Sequence, residues 1–276
     1  MTACVPGKGH RERGFALLIV LWTLVLIAFL VAQITSSAQT ELRIAGNLKT
    51  NAAAQAAADG AIYQAIFNLS NPQPERRWAL DGSAHEIQIG GSRIAVRLEN
   101  EAGKINPSLA SPALVAALLQ VLGSDPGQAT ALSGAIAEWV GAAVPQASPA
   151  VALANYQAAG LDYGPPGAPL ESLDELARVR GMTPQLFDVI RPHLTLFGPP
   201  EPDRAGADPA VAAALALMRQ PAAPAIATGI SDLMLVRIHA AAHGPGNALV
   251  SRAAVARVGS AVPNGYLLLD WSREAN

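Results

Sequence analysis

The chain has 276 residues, enough for one or two domains, and its formal net charge of -2 with 14% charged residues offers no basic surface for nucleic acid. Hydrophobic residues make up 51%, so a core can be built even after the apolar N-terminal stretch is set aside. The sole cysteine, Cys4, rules out a disulfide framework, and the fold must rest on packing or on a bound ion.

The first element in chain order is a membrane helix. No charged residue occurs from Phe15 through Thr40, and Phe15 to Ala32 is almost wholly apolar. At ~1.5 Å per residue this stretch crosses most of a hydrocarbon core of ~30 Å. Lys8, Arg11 and Arg13 stand before it against one acid, Glu12, and the positive-inside rule keeps that end in the cytoplasm, so everything after Thr40 is exported. Three processing routes compete. A secretory signal peptide would use Ser36-Ser37-Ala38 as its cleavage site, but the apolar run is longer than such a peptide has. An uncleaved signal anchor is the second. The third rests on Gly14, which lies directly between the basic leader and the apolar run, where a prepilin-type peptidase cuts. The pattern Arg13-Gly14-Phe15 ahead of an apolar helix resembles the type IV pilin and pseudopilin class. That resemblance implies cleavage between Gly14 and Phe15 and methylation of the new amino terminus.

Past the membrane run, Ile44, Leu48, Ala52, Gln55, Ile62, Ile66 and Leu69 keep near-helical spacing, so the helix is expected to continue. It should stop at Asn68 to Pro72, where proline bars the preceding residue from helix. One helix of ~80 Å then runs from Phe15 to about Leu69, and the alanines from Ala52 to Ala58 give it a shallow packing face. His85–Ile89 and Arg93–Leu98 alternate with period two around Gly90-Gly91-Ser92, which predicts a β-hairpin with one face on a core.

Between Gly103 and Phe197 the pattern changes to short helices. Ser111-Pro112, Asp125-Pro126, Ser148-Pro149 and Thr183-Pro184 each place a capping side chain before a proline, and Ser172 with Glu175 makes a capping box. Gly123, Gly160 and Gly181 fall where C-terminal caps belong. Five helices in about ninety residues predict an all-α subdomain inserted after the hairpin. The proline-rich Gly198–Asp203 reads as a linker, a further helix runs from Asp208-Pro209 to about Arg219, and Leu233–Ala240, Ala248–Val258 and Tyr266–Trp271 read as an antiparallel meander. The expected fold class is α+β. A long N-terminal helix packs on an antiparallel sheet shared by 73–100 and 228–272, and a large all-α subdomain of helix-hairpin-helix or SAM-like character is inserted.

This order of elements resembles the minor pseudopilin K family of the type II secretion system, the general secretion pathway. The matching segments are Arg13 to Trp22, Gly103-Lys104-Ile105-Asn106-Pro107, Ala135-Ile136-Ala137-Glu138-Trp139, and Glu171 to Met182 with its Ser-x-x-Glu-Leu and Arg-Gly-Met. The resemblance implies a leader over 1–14, a transmembrane and amphipathic helix over 15–69, a pilin-like head from 70–103 and 198–276, and an inserted subdomain over 104–197. It further implies a single-pass protein of the bacterial inner membrane whose head lies in the periplasm. Its site would be the tip of the pseudopilus, where it helps initiate assembly and serves export across the outer membrane. The implied partners are I- and J-type minor pseudopilins, the pseudopilus, the prepilin peptidase and the inner membrane, with no nucleic acid.

Two positions depart from the wider pattern. Most pilin-like subunits carry Glu at the fifth mature position, which here is Ile19. A buried carboxylate in the membrane costs on the order of 3 kcal/mol unless it meets a cation such as a neighbour's amino terminus. A subunit without it fits the start of a filament. K proteins also carry an acidic calcium cluster after the tryptophan, but here Trp139 is followed by Val140, Gly141, Ala142, Ala143, Val144 and Pro145. Glu138 is the only acid from Gly127 to Gly160, against the six to eight oxygens calcium takes. The calcium site is expected to be lost, leaving no cofactor.

No catalytic constellation stands out, and no enzyme is expected. His239 and His243 have the spacing of a helical metal pair but sit at a strand end with no acid between them. Asp174 and Glu175 point to different helix faces. The alternative class is a membrane-anchored DNA receptor, because Ile105–Gly123 and Leu170–Phe197 look somewhat like helix-hairpin-helix modules. Residues 104–197 provide only Lys104, Arg178, Arg180 and Arg191 for phosphates, against seven acids.

Overall fold

A computed structural model describes residues 11–142, 149–218 and 233–274. Helix α1 (Arg11–Leu69) starts one turn ahead of the expected Phe15 and ends where expected. There Ser70 donates both its N–H and its hydroxyl to the Ile66 carbonyl, and Pro72 prevents a further turn.

Strands β1 (Asp81–Ile89), β2 (Ser92–Asn100), β3 (Met234–His243), β4 (Leu249–Val258) and β5 (Tyr266–Arg273) form one antiparallel sheet in the order β1-β2-β3-β4-β5. The two segments expected to share a sheet therefore do so. The β1–β2 turn needs Gly90 at φ +59, which a glycine adopts without strain. Both outer strands lose register once. In β1 the slip lies between Asp81 and Ala84, and in β5 Leu269 is left over between partners of Val255 and Ala256.

The head core forms where α1 lies on the sheet. Ala54, Ala57, Ala58, Ala61, Ile62, Ala65, Ile66 and Leu69 recur at helical spacing and are buried. They meet Ile94, Val96, Leu98, Val236, Ile238, Ala240, Ala242, Ala254 and Ala256 from alternate positions of the strands. Alanine faces alanine across much of this contact, so helix and sheet approach closely.

Everything from Glu101 to Leu233 intervenes between β2 and β3. Its helices are α2 (Pro112–Val121), α3 (Pro126–Trp139), α4 (Pro149–Ala158), α5 (Pro184–Ile190) and α6 (Pro209–Leu217). The caps act as read from sequence: Ser111 accepts from Leu114, Asp125 from Gly127 and Gln128, Thr183 from Leu186, and Asp208 from Val211. Ser148 and Arg219 lie outside the described residues. Ser172 and Glu175 complete their capping box, though around a 3-10 helix, Leu173–Arg178. Gly123, Gly160 and Gly181 all have positive φ.

The expected boundary at Phe197 is displaced. Helix α6, expected in the head from its position in the chain, instead buries Val211, Ala214 and Leu215 in the core of the helical lobe, alongside α2. His193 Nδ1 lies 2.9 Å from Asp208 Oδ2 and ties the start of α6 to the lobe. Nor is Gly198–Asp203 a free tether. Asp203 N–H donates to Ala102 O at 2.8 Å, and a Cβ on Gly206 would collide with the Asn100 amide.

Candidate functional site

Phe15–Gln33 is one apolar stretch near the N-terminus, and none of it is buried against the rest of the chain. Its nineteen residues span ~28 Å as a helix, close to the ~30 Å of a hydrocarbon core. The Gly14–Phe15 bond lies in the first turns of α1, and Ile19 sits one turn further on with its side chain outward, 48% exposed.

The hydrophobic stripe of α1 divides in two. Ile62, Ile66 and Leu69 are buried on the sheet, whereas Ile44 and Leu48 are 54% and 65% exposed. The head begins only at the level of Thr50 and Ala54, which meet the Gly244–Gly246 turn, so Ile44 and Leu48 stand on bare helix below it. Two apolar positions escaped the sequence reading. Phe67 is 81% exposed on the back of α1, and Tyr63 packs on Trp271 and Tyr266 at the α1–β5 seam, with centroids 5.7 and 6.4 Å away. Their i, i+4 spacing opposite the alanine face was the available signal.

The turn between β3 and β4 touches the N-terminal part of the head helix, so the opposite end of the sheet, where β2 ends and β3 begins, lies farthest from the apolar span. The lobe springs from that end. Its root is closed by Gly103-Lys104-Ile105-Asn106-Pro107. Ile105 N–H donates to His193 O, Thr195 N–H donates to Ile105 O, and Asn106 Nδ2 donates to Leu196 O and Gly198 O. Beside it Glu101, fully buried, accepts from Arg237 Nε at 2.9 Å and Nη2 at 2.6 Å, with Lys104 Nζ 3.2 Å away. Burial pushes the Glu101 carboxyl up, but the Arg237 hydrogen bonds and the charges of Arg237 and Lys104 outweigh it and hold the group below its usual value.

The other two quoted segments meet inside the lobe. Trp139 Nε1 lies 3.5 Å from Glu175 Oε2, and Arg180 Nη2 lies 3.6 Å from Glu138 Oε2. Trp139, Tyr156 and Tyr163 form a three-ring cluster with centroids 6.0–6.3 Å apart. Burial pushes the Tyr156 hydroxyl up. After Trp139 the chain is braced by backbone: Gly167 N–H donates to Trp139 O, and Gly141, at φ +72, abuts Gly167 so closely that a Cβ would clash. Residues 143–148 of that loop lie outside the described residues.

His239 and His243 lie on β3 on one face, ~13 Å apart along the strand, too far to share an ion. His239 Nδ1 instead meets Glu274 at 2.7 Å. Asp174 pairs with Arg191 at 3.2 Å, while Glu175 accepts from the Glu171 and Ser172 N–H groups, so the two carboxylates diverge. Among the described residues no three His, Cys, Asp or Glu side chains gather as a metal site. Of the four basic residues of 104–197, Lys104, Arg180 and Arg191 already have carboxylate partners.

Residues 94–200 match the family model described as type II secretion system (T2SS), protein K. Among solved structures the chain is similar to one in the crystal structure of the GspK-GspI-GspJ complex from the enterotoxigenic Escherichia coli type 2 secretion system. The TM-score is 0.57 at 15% identity, over 86% of this chain and 99% of that one, a likeness of fold. No curated protein matches in sequence.

Proposed function

We propose that this chain is a minor pseudopilin of the type II secretion system protein K family, whose model its residues 94–200 match, and that it caps the tip of a periplasmic pseudopilus and helps start its assembly. In that role it serves protein export across the outer membrane. The observation carrying this reading is the lobe, which rises from the end of the sheet farthest from the apolar span. In a filament of stacked long helices each subunit must fit beneath the next, and a body of this size has room only where nothing sits above.

Ile19 supports the same position. A carboxylate there would neutralise the amino terminus of a neighbour, and a first subunit has none to neutralise. The bare segment of α1 with Ile44 and Leu48, together with Phe67 on its back, gives I- and J-type minor pseudopilins an apolar helix to pack on. The chain would cross the bacterial inner membrane once, with residues 1–14 cytoplasmic and removed by prepilin peptidase between Gly14 and Phe15. The reading calls for no catalysis and no resident cofactor. The calcium cluster of the family is taken as lost, and the described chain beside Trp139 is braced by the rings of Trp139, Tyr156 and Tyr163 and by the Gly141–Gly167 apposition.

Mass spectrometry of the mature protein tests the anchor: a methylated Phe15 terminus is expected, and a terminus at Gln39 would overturn the pseudopilin reading. Copy number along isolated pseudopili tests the tip. Ile19→Glu should give no gain in assembly, and free polymerisation of that variant along the filament would refute the assignment.

A further inference from the structure

Among the described residues of head and lobe, every arginine or lysine that is not open to solvent has a partner, with one exception. Arg77 donates to Asn71 O, Lys104 and Arg237 meet Glu101, Arg180 meets Glu138, and Arg252 meets Asp59. Arg257 on β4 is partly buried and makes no hydrogen bond or ion pair with any described residue. It lines a hollow of about 470 Å³ where the lobe root meets the end of the sheet, and no acid shares that lining. The walls are mostly apolar, from Leu109, Leu196, Phe197, Leu233 and Leu235. The one side-chain amide there, Asn106, is already engaged: its nitrogen donates to Leu196 O and Gly198 O, and its oxygen accepts from the Ser108 N–H. Leu109, 54% exposed, is also a wall of a second hollow of about 280 Å³, where Leu114, Leu215 and Met218 add further apolar surface.

We infer that these adjoining hollows dock an extended acidic and apolar segment of a partner polypeptide, its carboxylate on Arg257 and its apolar side chains on either side of Leu109. A guanidinium drawn out of water without a partner is unfavourable, and a carboxylate can take two of its N–H groups at once. With Asn106 engaged, Arg257 is the side chain of the first hollow that still offers donors, so the charge to be met is negative and the rest of the ligand is apolar. Two apolar sockets in series, sharing Leu109 as their common wall, match successive side chains of one chain better than a single small molecule. A bilayer lipid is ill placed. The site lies where β3 begins and β4 ends, with Leu235 opposite Arg257, at the end of the sheet farthest from the apolar span. This surface is separate from the face of α1 given to I- and J-type subunits.

The inference goes beyond the tip assignment and does not depend on it. The full chain in nanodiscs is titrated with short fluorescent peptides that carry one glutamate beside two leucines, and with matched peptides bearing glutamine, lysine or phosphoserine in its place; octanoate is a further probe. The glutamate peptide should bind about tenfold or more tighter than the glutamine peptide, with the lysine peptide weakest, and the difference should shrink as salt is raised. Arg257→Gln should abolish that difference and leave the glutamine peptide where it was, while Arg257→Lys keeps part of it. Leu109→Ser, at an exposed position, should weaken both peptides. Arg97→Gln, an equal change of charge at an exposed position on β2, should alter nothing. Equal affinity for the glutamate and glutamine peptides, a preference for the phosphoserine peptide or octanoate, or an unaltered glutamate preference in Arg257→Gln would overturn the proposal. So would crosslinking of a benzophenone side chain placed at Leu109 to a second copy of the chain, or to its own residues 219–232, in place of the peptide. Processing at Gly14 and copy number along the pseudopilus do not enter these readouts, so failure here and failure of the tip reading are told apart.

Discussion

Glu101→Gln removes one charge from the root of the lobe and almost no volume. In the native protein this carboxylate is fully buried, receives two hydrogen bonds from Arg237 and lies against Lys104, while the Arg237 and Lys104 side chains keep 21% and 14% exposure. Breaking one partner of a buried pair costs ~3–5 kcal/mol, and the residual exposure of both cations lets water recover part of it, so ~3 kcal/mol is expected. For a folded body of this size that lowers the melting temperature by roughly 6–12 °C. The pH dependence has a definite sign. A carboxyl held below its unfolded value of ~4.3 contributes stability above that value, and the contribution is lost as pH falls through the lower folded value. The gap between native and Glu101→Gln proteins should thus be full at neutral pH and narrow progressively as pH falls below the unfolded value of ~4.3. Calorimetry of the purified chain in detergent across this range reads both quantities. A neutral-pH loss under ~0.5 kcal/mol, or a gap that does not narrow in acid, would refute the assignment of Glu101 as the charge that fixes the lobe.

Gly206→Ala forces a Cβ into the Asn100 amide, and limited proteolysis should cut near the lobe root far faster than in the native chain. Ala254→Leu overfills the contact where α1 alanines meet the sheet and should cost ~1–3 kcal/mol by urea denaturation, with an unchanged result arguing against the close approach. Asp59→Ala leaves Arg252, whose side chain is only 8% exposed and lies 3.1 Å from Asp59, without its counter-charge. A loss of ~3 kcal/mol is expected, and Arg252→Leu on the same background should restore much of it.

What was legible in the sequence was what is decided within a few residues. Ser111, Asp125, Thr183 and Asp208 announce their helices because the hydroxyl or carboxylate reaches an N–H two or three positions on. The alternation of Ile94, Val96 and Leu98 fixes a buried strand face by itself. The allegiance of α6 was not legible, because Asp208-Pro209 says where a helix starts and nothing about which core Val211 and Leu215 will join. Periodicity likewise cannot tell Leu48 from Ile62, since it is blind to where the sheet ends. The Glu101–Arg237 pair joins residues 136 apart, and neither belongs to a local motif.

The slips in register at β1 and β5 have a consequence for growth. A regular outer strand offers its unpaired N–H and C=O groups as a template, and any similar chain can extend the sheet sideways without limit. Here each rim is broken by extra residues that turn the ladder out of step, between Asp81 and Ala84 on one side and at Leu269 on the other. A second copy laid against either rim could match only a few residues before falling out of phase. Lateral accretion into sheets or fibres is thereby discouraged, and the direction left open for joining neighbours is along the helix.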